Sequence, residues 1–240
     1  MISDVAIWHQ LECGSYDADI ECWSTLANEY GGPILDVGAG LGRVSLMLAA
    51  LGHSVTALEI DRSLLTALSS RAGGLQVETL CADARSFQTG RSFGLIIVPM
   101  LTIQLFGGSE GRSRFFKAAS SQLSPGGCIA LAIADLLDDE DGAAGAQSSD
   151  VDSCVINSIS YSTRAVALRR RDGQIGIERR REVSAAGGPV ETHAATDWID
   201  ILGPELLEAE AAAAGLTIAP RRQIPATPEY IGSAVICLNG

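Results

Sequence analysis

The sequence predicts an α/β fold in which helices cover both faces of a doubly wound, mostly parallel sheet of seven strands, with an antiparallel β-ribbon inserted after the fifth strand. Strand-like and helix-like apolar periods alternate from residue 17 to residue 134. Several strand-like runs are apolar without alternation, which is typical of parallel strands buried on both faces. Farther along the chain, an Asp172-Gly173 pair between two strand-like runs predicts a hairpin.

The elements of the first half follow from the spacing of apolar residues and from the positions of glycine. Apolar residues recur at three- and four-residue steps from Ile20 to Tyr30, which predicts a helix over 17–30 that Gly31 ends. The strands predicted next are 33–37, 53–60 and 76–81. The helices between them are predicted over 41–51 and 62–72, the second with Asp61 as its N-cap.

The second half continues this pattern and then departs from it. A strand, a helix and a strand are predicted over 93–98, 109–123 and 128–134. Residues 138–152 are acidic, small and turn-rich, which predicts a mobile loop, whereas 154–183 is typical of a β-ribbon and 190–200 of a further strand. The final elements are a helix and two strands, predicted over 204–215, 216–222 and 233–239.

We interpret these elements as one domain with an insertion. Residues 1–135 and 201–240 would form the core, which begins with an N-terminal helical lid. Residues 136–200 would hold the flexible acidic loop and the β-ribbon, and would act as a cap over the substrate.

Composition limits the possible functions. The formal net charge of −12 argues against binding to nucleic acids or anionic membranes, which need basic surface. The six cysteines form no C-x-x-C pair, so no metal site is predicted. The first residues lack the pattern of a signal peptide and no apolar run has membrane-spanning length, so a reducing cytoplasm is expected.

The stretch ILDVGAGLGR carries the strongest functional signal. A buried strand runs into a turn with three alternate glycines and then into a helix, so backbone N–H groups and the positive end of the helix face open space. Glycine removes the side chains that would keep a ligand away from the backbone. One interpretation is a ligand packed against Gly38, Gly40 and Gly42; the other is a tight turn with no ligand.

Nearby acids narrow the class of ligand. Arg43 stands where a dinucleotide G-x-G-x-x-G motif requires its third glycine, and no G-K-[ST] sequence is present. Asp36 would repel a diphosphate but suits a ligand that carries an amino group. Glu59, at the end of the second strand, can accept both hydroxyls of a ribose, and Asp83, after the third, can accept from an adenine amine. The acids therefore describe an adenosine that bears an amino acid and no phosphate.

The ordered motifs ILDVGAGLGR, ALEID, CADA, LIIVPM and LSPGGCIALAIAD resemble those of the class I S-adenosylmethionine-dependent methyltransferases, which have a Rossmann-like fold. The sequence is especially similar to small-molecule members with a β-ribbon after the fifth strand. The resemblance covers 34–135 well, and Tyr16-Asp17 and the C-terminal part more loosely.

The resemblance implies a role for each matching position. The glycine turn, including Ala39 and Arg43, would pack against the methionine part of the cofactor, and Asp36 would hold its ammonium. Glu59 would bind the ribose, and Tyr16 would close over the cofactor. The positions that would contact the adenine are Ile60, Asp83 and Ala84. The positions that would line the floor near the reactive methyl are Val98, Thr102 and Gln104.

Methyl transfer from a sulfonium is an in-line displacement that requires alignment and exclusion of water. A general base is needed only where the nucleophile must lose a proton, so the sequence need not contain one. The candidates for a catalytic role are Tyr16, Gln104 and His193, and each has a structural alternative in packing or exposure. We expect a small-molecule acceptor, and a monomer or homodimer.

Two other functions stay open. A NAD-dependent oxidoreductase could use a similar sheet, although Asp36 and Arg43 argue against it. A non-catalytic protein could keep the nucleoside pocket for binding alone.

The arginines of the predicted hairpin, Arg169–Arg171 and Arg179–Arg181, allow two interpretations. They could recognise a carboxylate or phosphate on a substrate. They could also form the charged faces of exposed strands, with Glu178 and Glu182 as partners. We favour the charged faces, because exposed sheet edges commonly carry charge.

Overall fold

The computed structural model describes residues 3–134, 151–227 and 230–240. The chain divides into two compact units. We call Asp17–Asp135 with Leu202–Gly240 the core unit, and Met1–Tyr16 with Leu136–Ile201 the insertion unit.

In chain order, the strands of the described residues are β1 (Ile34–Val37), β2 (Val55–Glu59), β3 (Val77–Cys81), β4 (Phe93–Val98), β5 (Leu123–Ile133), β6 (Asp152–Ile156), β7 (Ile159–Arg171), β8 (Gln174–Ala185), β9 (Val190–Asp200), β10 (Thr217–Ile224) and β11 (Ser233–Asn239). The helices are α1 (Asp4–Cys13), α2 (Ile20–Tyr30), α3 (Arg43–Ala50), α4 (Arg62–Arg71), α5 (Gly108–Ser120) and α6 (Pro204–Ala213), with a 3₁₀ helix at Thr102–Leu105. Among the residues described, no helix is long and apolar enough to cross a membrane.

The core unit confirms the predicted fold class. Within the described ranges it holds a seven-stranded sheet in the order β10-β11-β5-β4-β1-β2-β3. The pairs from β5 through β4, β1 and β2 to β3 are parallel, whereas β11 pairs antiparallel with β5 and β10. The strand order reverses between β1 and β4, which is the position where open α/β sheets bind ligands.

Strand β5 begins earlier than the sequence pattern predicts. The pattern places its start after Gly127, because Ser-Pro-Gly-Gly is typical of a turn. In the structure Leu123 already pairs with Phe93, and the register of the two strands shifts directly afterwards. Pro125 lies in this irregular stretch, where a residue without an N–H group is tolerated. A Cβ atom at Gly127 would lie 2.9 Å from the carbonyl oxygen of Gly94, so glycine here permits close approach of the strands.

The core unit is densely packed around its central strands. Every residue of β1, β2 and β4 is buried. Trp23 from α2 and Phe115 and Phe116 from α5 are among the largest fully buried side chains. Polar function is therefore expected at or near the carboxyl ends of these strands.

The insertion unit contains the antiparallel sheet β6-β7-β8-β9 and helix α1, as far as the chain is described. The predicted hairpin is confirmed, because Asp172 and Gly173 join β7 to β8 with φ angles of +44° and +74°. The further strand predicted over 190–200 is confirmed as β9. Residues 138–150 of the acidic segment lie outside the described residues, and their mobility stays a prediction.

Helix α1 groups with the inserted sheet, whereas the predicted division placed it with the core. Trp8 contacts Tyr161 edge to face, with ring centroids 5.6 Å apart. Glu12 accepts hydrogen bonds from Arg181 at 2.8 and 2.7 Å and from the Thr163 hydroxyl at 3.0 Å. The partners of α1 lie far along the chain, so a local sequence pattern does not reveal them.

Two arginines of the hairpin form ion pairs along the strands, as the favoured interpretation predicts, whereas Arg179 and Arg181 pair with Glu12 of α1. Nε of Arg169 lies 2.9 Å from Oε2 of Glu178, and Nη2 of Arg180 lies 2.7 Å from Oε1 of Glu182. Both partners are the predicted ones.

Candidate functional site

The carboxyl ends of β1, β2 and β3 bring three predicted site segments to one edge of the core sheet. Parallel pairing sets Val37 beside Leu58 and Glu59 beside Cys81. The glycine turn after β1, Glu59 at the end of β2 and the Asp83 segment after β3 are therefore neighbours. Ligands of α/β sheets bind at such an edge.

The turn between β1 and α3 has the left-handed backbone that glycine adopts without strain. The φ angles of Gly38, Gly40 and Gly42 are +72°, +55° and +83°. The N–H groups of Gly38 and Ala39 donate to the carbonyl oxygen of Leu58 at 2.8 and 3.0 Å. The backbone of the turn is thus fastened to β2.

Gly38 is required for packing as well as for backbone conformation. A Cβ atom at this position would lie 2.5 Å from Cγ2 of Thr102, whose hydroxyl donates to the carbonyl oxygen of Pro99. We expect Gly38→Ala to lower the free energy of unfolding by at least about 2 kcal/mol, because a left-handed alanine and an overpacked contact each cost about 1 kcal/mol or more.

Gly90→Ala is the matched control for this substitution. Gly90 has a φ angle of +71°, and an added Cβ atom would meet nothing within 4 Å. In urea denaturation, Gly90→Ala should show the conformational loss alone, and Thr102→Ala should restore part of the stability of Gly38→Ala. Equal losses at the two glycines would contradict the close approach of Thr102.

Glu59 is buried against the glycine turn and is 8% exposed. Its Oε2 accepts from the N–H of Gly40 at 3.0 Å, and its Oε1 accepts from the N–H groups of Ile60 and Asp61 at 2.8 and 3.0 Å. A carboxylate has roughly four acceptor sites, so this orientation leaves about one, on Oε2, for a ligand hydroxyl. Acceptance from both hydroxyls of a ribose stays a prediction and requires one backbone donor to yield its place.

Asp36 lies in β1 and is 1% exposed. Its Oδ2 accepts from the Ser45 hydroxyl at 2.6 Å, whereas its Oδ1 has no hydrogen-bond partner among the residues that the structure describes. Burial raises the pKa of Asp36 to about 6. A buried carboxylate oxygen without a partner is costly, and a cation beside it relieves that cost. Asp36 therefore fits a ligand with an amino group.

The partner of Arg43 was missed by sequence reasoning. Its Nη1 and Nη2 donate to Oδ1 and Oδ2 of Asp19 at 2.5 and 2.7 Å, and Asp19 is fully buried directly before α2. The indole Nε1 of Trp23 donates to the same carboxylate at 2.8 Å. Asp19 thus holds the first residue of α3 against α2. The spacing of Asp19 and Trp23, one helical turn, is the local signal that could have identified it.

Asp83 is engaged by a residue that the sequence analysis did not single out. Its Oδ1 and Oδ2 accept from Nε and Nη2 of Arg85 at 2.9 and 2.7 Å. These hydrogen bonds lower the pKa of Asp83. An adenine amine would have to compete with Arg85 for the carboxylate. Ala84 is buried, whereas Ile60 is 65% exposed and offers an apolar surface for the flat face of a base.

The segment after β4 contacts the chain directly after the neighbouring strand β5 through a side-chain hydrogen bond. Val98 is fully buried, and Gln104 is 1% exposed, with its Oε1 accepting from the N–H of Ala134 at 3.2 Å. Met100, between them, has a φ angle of +56°, which is uncommon for a residue other than glycine. The expected places of Val98, Thr102 and Gln104 near a reactive methyl, and a catalytic role of Gln104, stay predictions.

Two other predicted residues belong to the insertion unit. Tyr16 is buried. His193 is exposed on β9, with its Nε2 3.9 Å from Oε2 of Glu191. Closure of Tyr16 over a cofactor and a catalytic role for either residue stay predictions.

A family model and several solved structures that match this chain all represent methyltransferases. Residues 34–127, which include the glycine turn, Glu59 and Asp83, match the model of a methyltransferase domain. The structure is similar to an S-adenosylmethionine-dependent methyltransferase from Clostridium acetobutylicum ATCC 824, with a TM-score of 0.72, 16% identity and coverage of 97% of this chain and 96% of that chain.

Two enzymes named for sugar substrates are also similar in structure. The sugar N-methyltransferase KedS8 from Streptoalloteichus sp ATCC 53650 has a TM-score of 0.76 at 17% identity, covering 100% of this chain and 94% of its own. The amino pentose methyltransferase CalS10 from Micromonospora echinaspora, solved with S-adenosylmethionine bound, has a TM-score of 0.71 at 18% identity, covering 98% and 97%. At these identities the likeness establishes the fold.

Proposed function

We propose that this chain is a class I S-adenosylmethionine-dependent methyltransferase that transfers the methyl group of its cofactor to a small-molecule acceptor; the methyltransferase-domain match over residues 34–127 and the shared fold support this proposal. The observation that carries the proposal is the buried Oδ1 of Asp36, which lacks a partner in the described part of the chain and stands two residues before a left-handed glycine turn. The amino-acid end of this cofactor supplies the cation that such an oxygen needs.

The other residues at this edge of the sheet fit the same cofactor. The glycine turn presents backbone without side chains, the open acceptor site of Glu59 suits a ribose hydroxyl, and the exposed Ile60 suits the face of an adenine. When bound, the cofactor supplies an electrophilic methyl group on a sulfonium.

A dinucleotide suits this edge less well. Its diphosphate would lie near the carboxylates of Asp36 and Glu59. Arg43, the nearby cation, already forms an ion pair with Asp19 and would not neutralise the diphosphate. The negative charges of a diphosphate and of a neighbouring carboxylate repel each other more strongly in a buried site than in water. The charges therefore favour the sulfonium cofactor over NAD.

The residues of the chain contribute to the proposed reaction mainly through placement. Asp36 and the glycine turn would hold one end of the cofactor and Glu59 its ribose, so the methyl group would point in one direction. An amine that arrives as the free base needs no proton removed before it attacks, and hence no general base. Since two similar structures are named for amino sugar or sugar N-methylation, amino sugars are the first acceptors to test.

Calorimetry with S-adenosylmethionine and with its demethylated product tests cofactor binding. We expect Glu59→Gln to weaken both affinities roughly 10- to 100-fold, because a hydrogen bond to a charged group contributes about 1.5–3 kcal/mol. Glu78→Gln is the matched control: Glu78 lies on the neighbouring strand with 72% of its side chain exposed, and its substitution should leave both affinities unchanged.

Three outcomes would count against the proposal. An unchanged affinity in Glu59→Gln would remove the ribose role, and tighter binding of NADH than of S-adenosylmethionine would contradict the cofactor. Transfer of labelled methyl groups to a panel of amino sugars and other small amines tests catalysis. Binding without turnover across that panel would favour the non-catalytic alternative.

A further inference from the structure

Strand β9 is a long, open edge of the inserted sheet. It pairs with β8 in an unbroken register from Val190 to Asp200, and in the part of the chain that the structure describes no strand pairs with its other side. Residues 190–194, 196 and 197 are exposed. The strand contains no proline, lysine or bulge, three of the features that keep sheet edges from pairing; its acidic residues, Glu191, Asp197 and Asp200, are charges of the kind that also protect edges.

A second copy of the same strand can pair with this edge in a limited set of registers. Antiparallel pairing of two identical edges places a two-fold axis perpendicular to the sheet, so the centre of the pairing falls on a residue that faces itself. The register with full overlap is centred on Ala195, which is the middle residue of Val190–Asp200. Ala195 is small and leaves room for its symmetry mate.

The charges on β9 favour this same register. Each residue then faces the one equally distant on the other side of Ala195, so His193 faces Asp197 of the partner subunit, and this contact occurs twice. A shift of the centre to Ala194 would set Glu191 opposite the partner's Asp197 and oppose two like charges. Full overlap and the pairing of His193 with the partner's Asp197 thus coincide at Ala195, whereas the neighbouring centre at Ala194 opposes like charges.

We propose that two copies of this chain associate through β9, antiparallel and centred on Ala195, so that the inserted sheets of both copies become continuous. The association concerns only the insertion unit and does not depend on the proposed methyl transfer. A second copy is the occupant because one strand is self-complementary in both length and charge.

Cysteine cross-linking tests the register. Directly opposite residues of antiparallel strands have Cα atoms about 4.5–5.5 Å apart, within reach of a disulfide. We expect Ala195→Cys to form a covalent dimer under mild oxidation. Ala194→Cys is the matched control, because its symmetry mate would be about 8 Å away, beyond disulfide geometry. Both variants are made with Cys81→Ser, since Cys81 is an exposed thiol of the native chain.

Light scattering and sedimentation test the association itself. The unmodified chain should have the mass of a dimer at micromolar concentration. Ala195→Asp, which sets two carboxylates against each other at the axis, should be a monomer with an unchanged circular dichroism spectrum, whereas Ala195→Asn should remain a dimer. A monomeric unmodified chain, a dimeric Ala195→Asp, or equal cross-linking of the two cysteine variants would overturn the proposal.

Discussion

Asp36→Asn is expected to stabilise the ligand-free protein by up to about 3 kcal/mol near neutral pH and to weaken its affinity for S-adenosylmethionine at least about tenfold. Burial raises the pKa of Asp36 from 3.8 to about 6, so the folded protein binds this proton more tightly than the unfolded chain. The protonated Asp36 carboxyl is the form that the folded protein favours. Its contribution to the free energy of unfolding is complete below pH about 4 and is lost as the pH rises through about 6. Asparagine removes the charge but still accepts from Ser45.

Denaturation of both proteins in urea between pH 4 and pH 8 measures this effect, since the pKa values of 3.8 and about 6 bound the region where the curves should diverge. Asp83→Asn is a control with the opposite sign, because Arg85 lowers the pKa of that carboxyl. Affinity of the unmodified protein should fall as the pH drops below about 6, and that of Asp36→Asn should not follow. If the unmodified protein and Asp36→Asn had equal stability at pH 7 and equal affinity for S-adenosylmethionine, the ionised Asp36 would neither destabilise the folded protein nor hold the cofactor.

Asp19→Ala is expected to lower the free energy of unfolding by about 3–5 kcal/mol, the usual loss when one partner of a buried ion pair is removed. The substitution would remove the acceptor of the two hydrogen bonds that Arg43 donates to Asp19 and would leave the indole N–H of Trp23 without its acceptor. Since Arg43 directly follows Gly42, we also expect weaker cofactor binding through a looser start of α3.

A double-mutant cycle separates the pair from its surroundings. Arg43→Met alone would leave the buried carboxylate of Asp19 without a counter-charge, whereas the double substitution Asp19→Ala with Arg43→Met removes both charges and should lose less stability than the two single losses combined. Asp17→Ala is the matched control, because Asp17 is exposed two residues away and its loss should be small. Additive single losses would mean that the two side chains do not stabilise each other.

Several features of the protein were accessible from local sequence because they depend on neighbouring residues. Apolar period distinguished the buried strands from the helices between them, and the Asp172-Gly173 pair identified the hairpin. Acids at the ends of successive strands could be expected to lie together, since parallel strands share one carboxyl edge. The start of β5 was predicted wrongly. Ser-Pro-Gly-Gly is typical of a turn, but in the structure this segment continues the pairing of β5 with β4, with a local shift of register.

Contacts between distant segments required the folded chain. The ion pair of Arg43 with Asp19 and the packing of α1 against the inserted sheet through Glu12 both depend on which surfaces meet after the sheets have formed. The unpaired oxygen of Asp36 has the same origin, because burial and the absence of a donor among the described residues are properties of the packed environment. Local pattern indicates what a segment can become, whereas the free energy of a buried charge depends on every group packed around it.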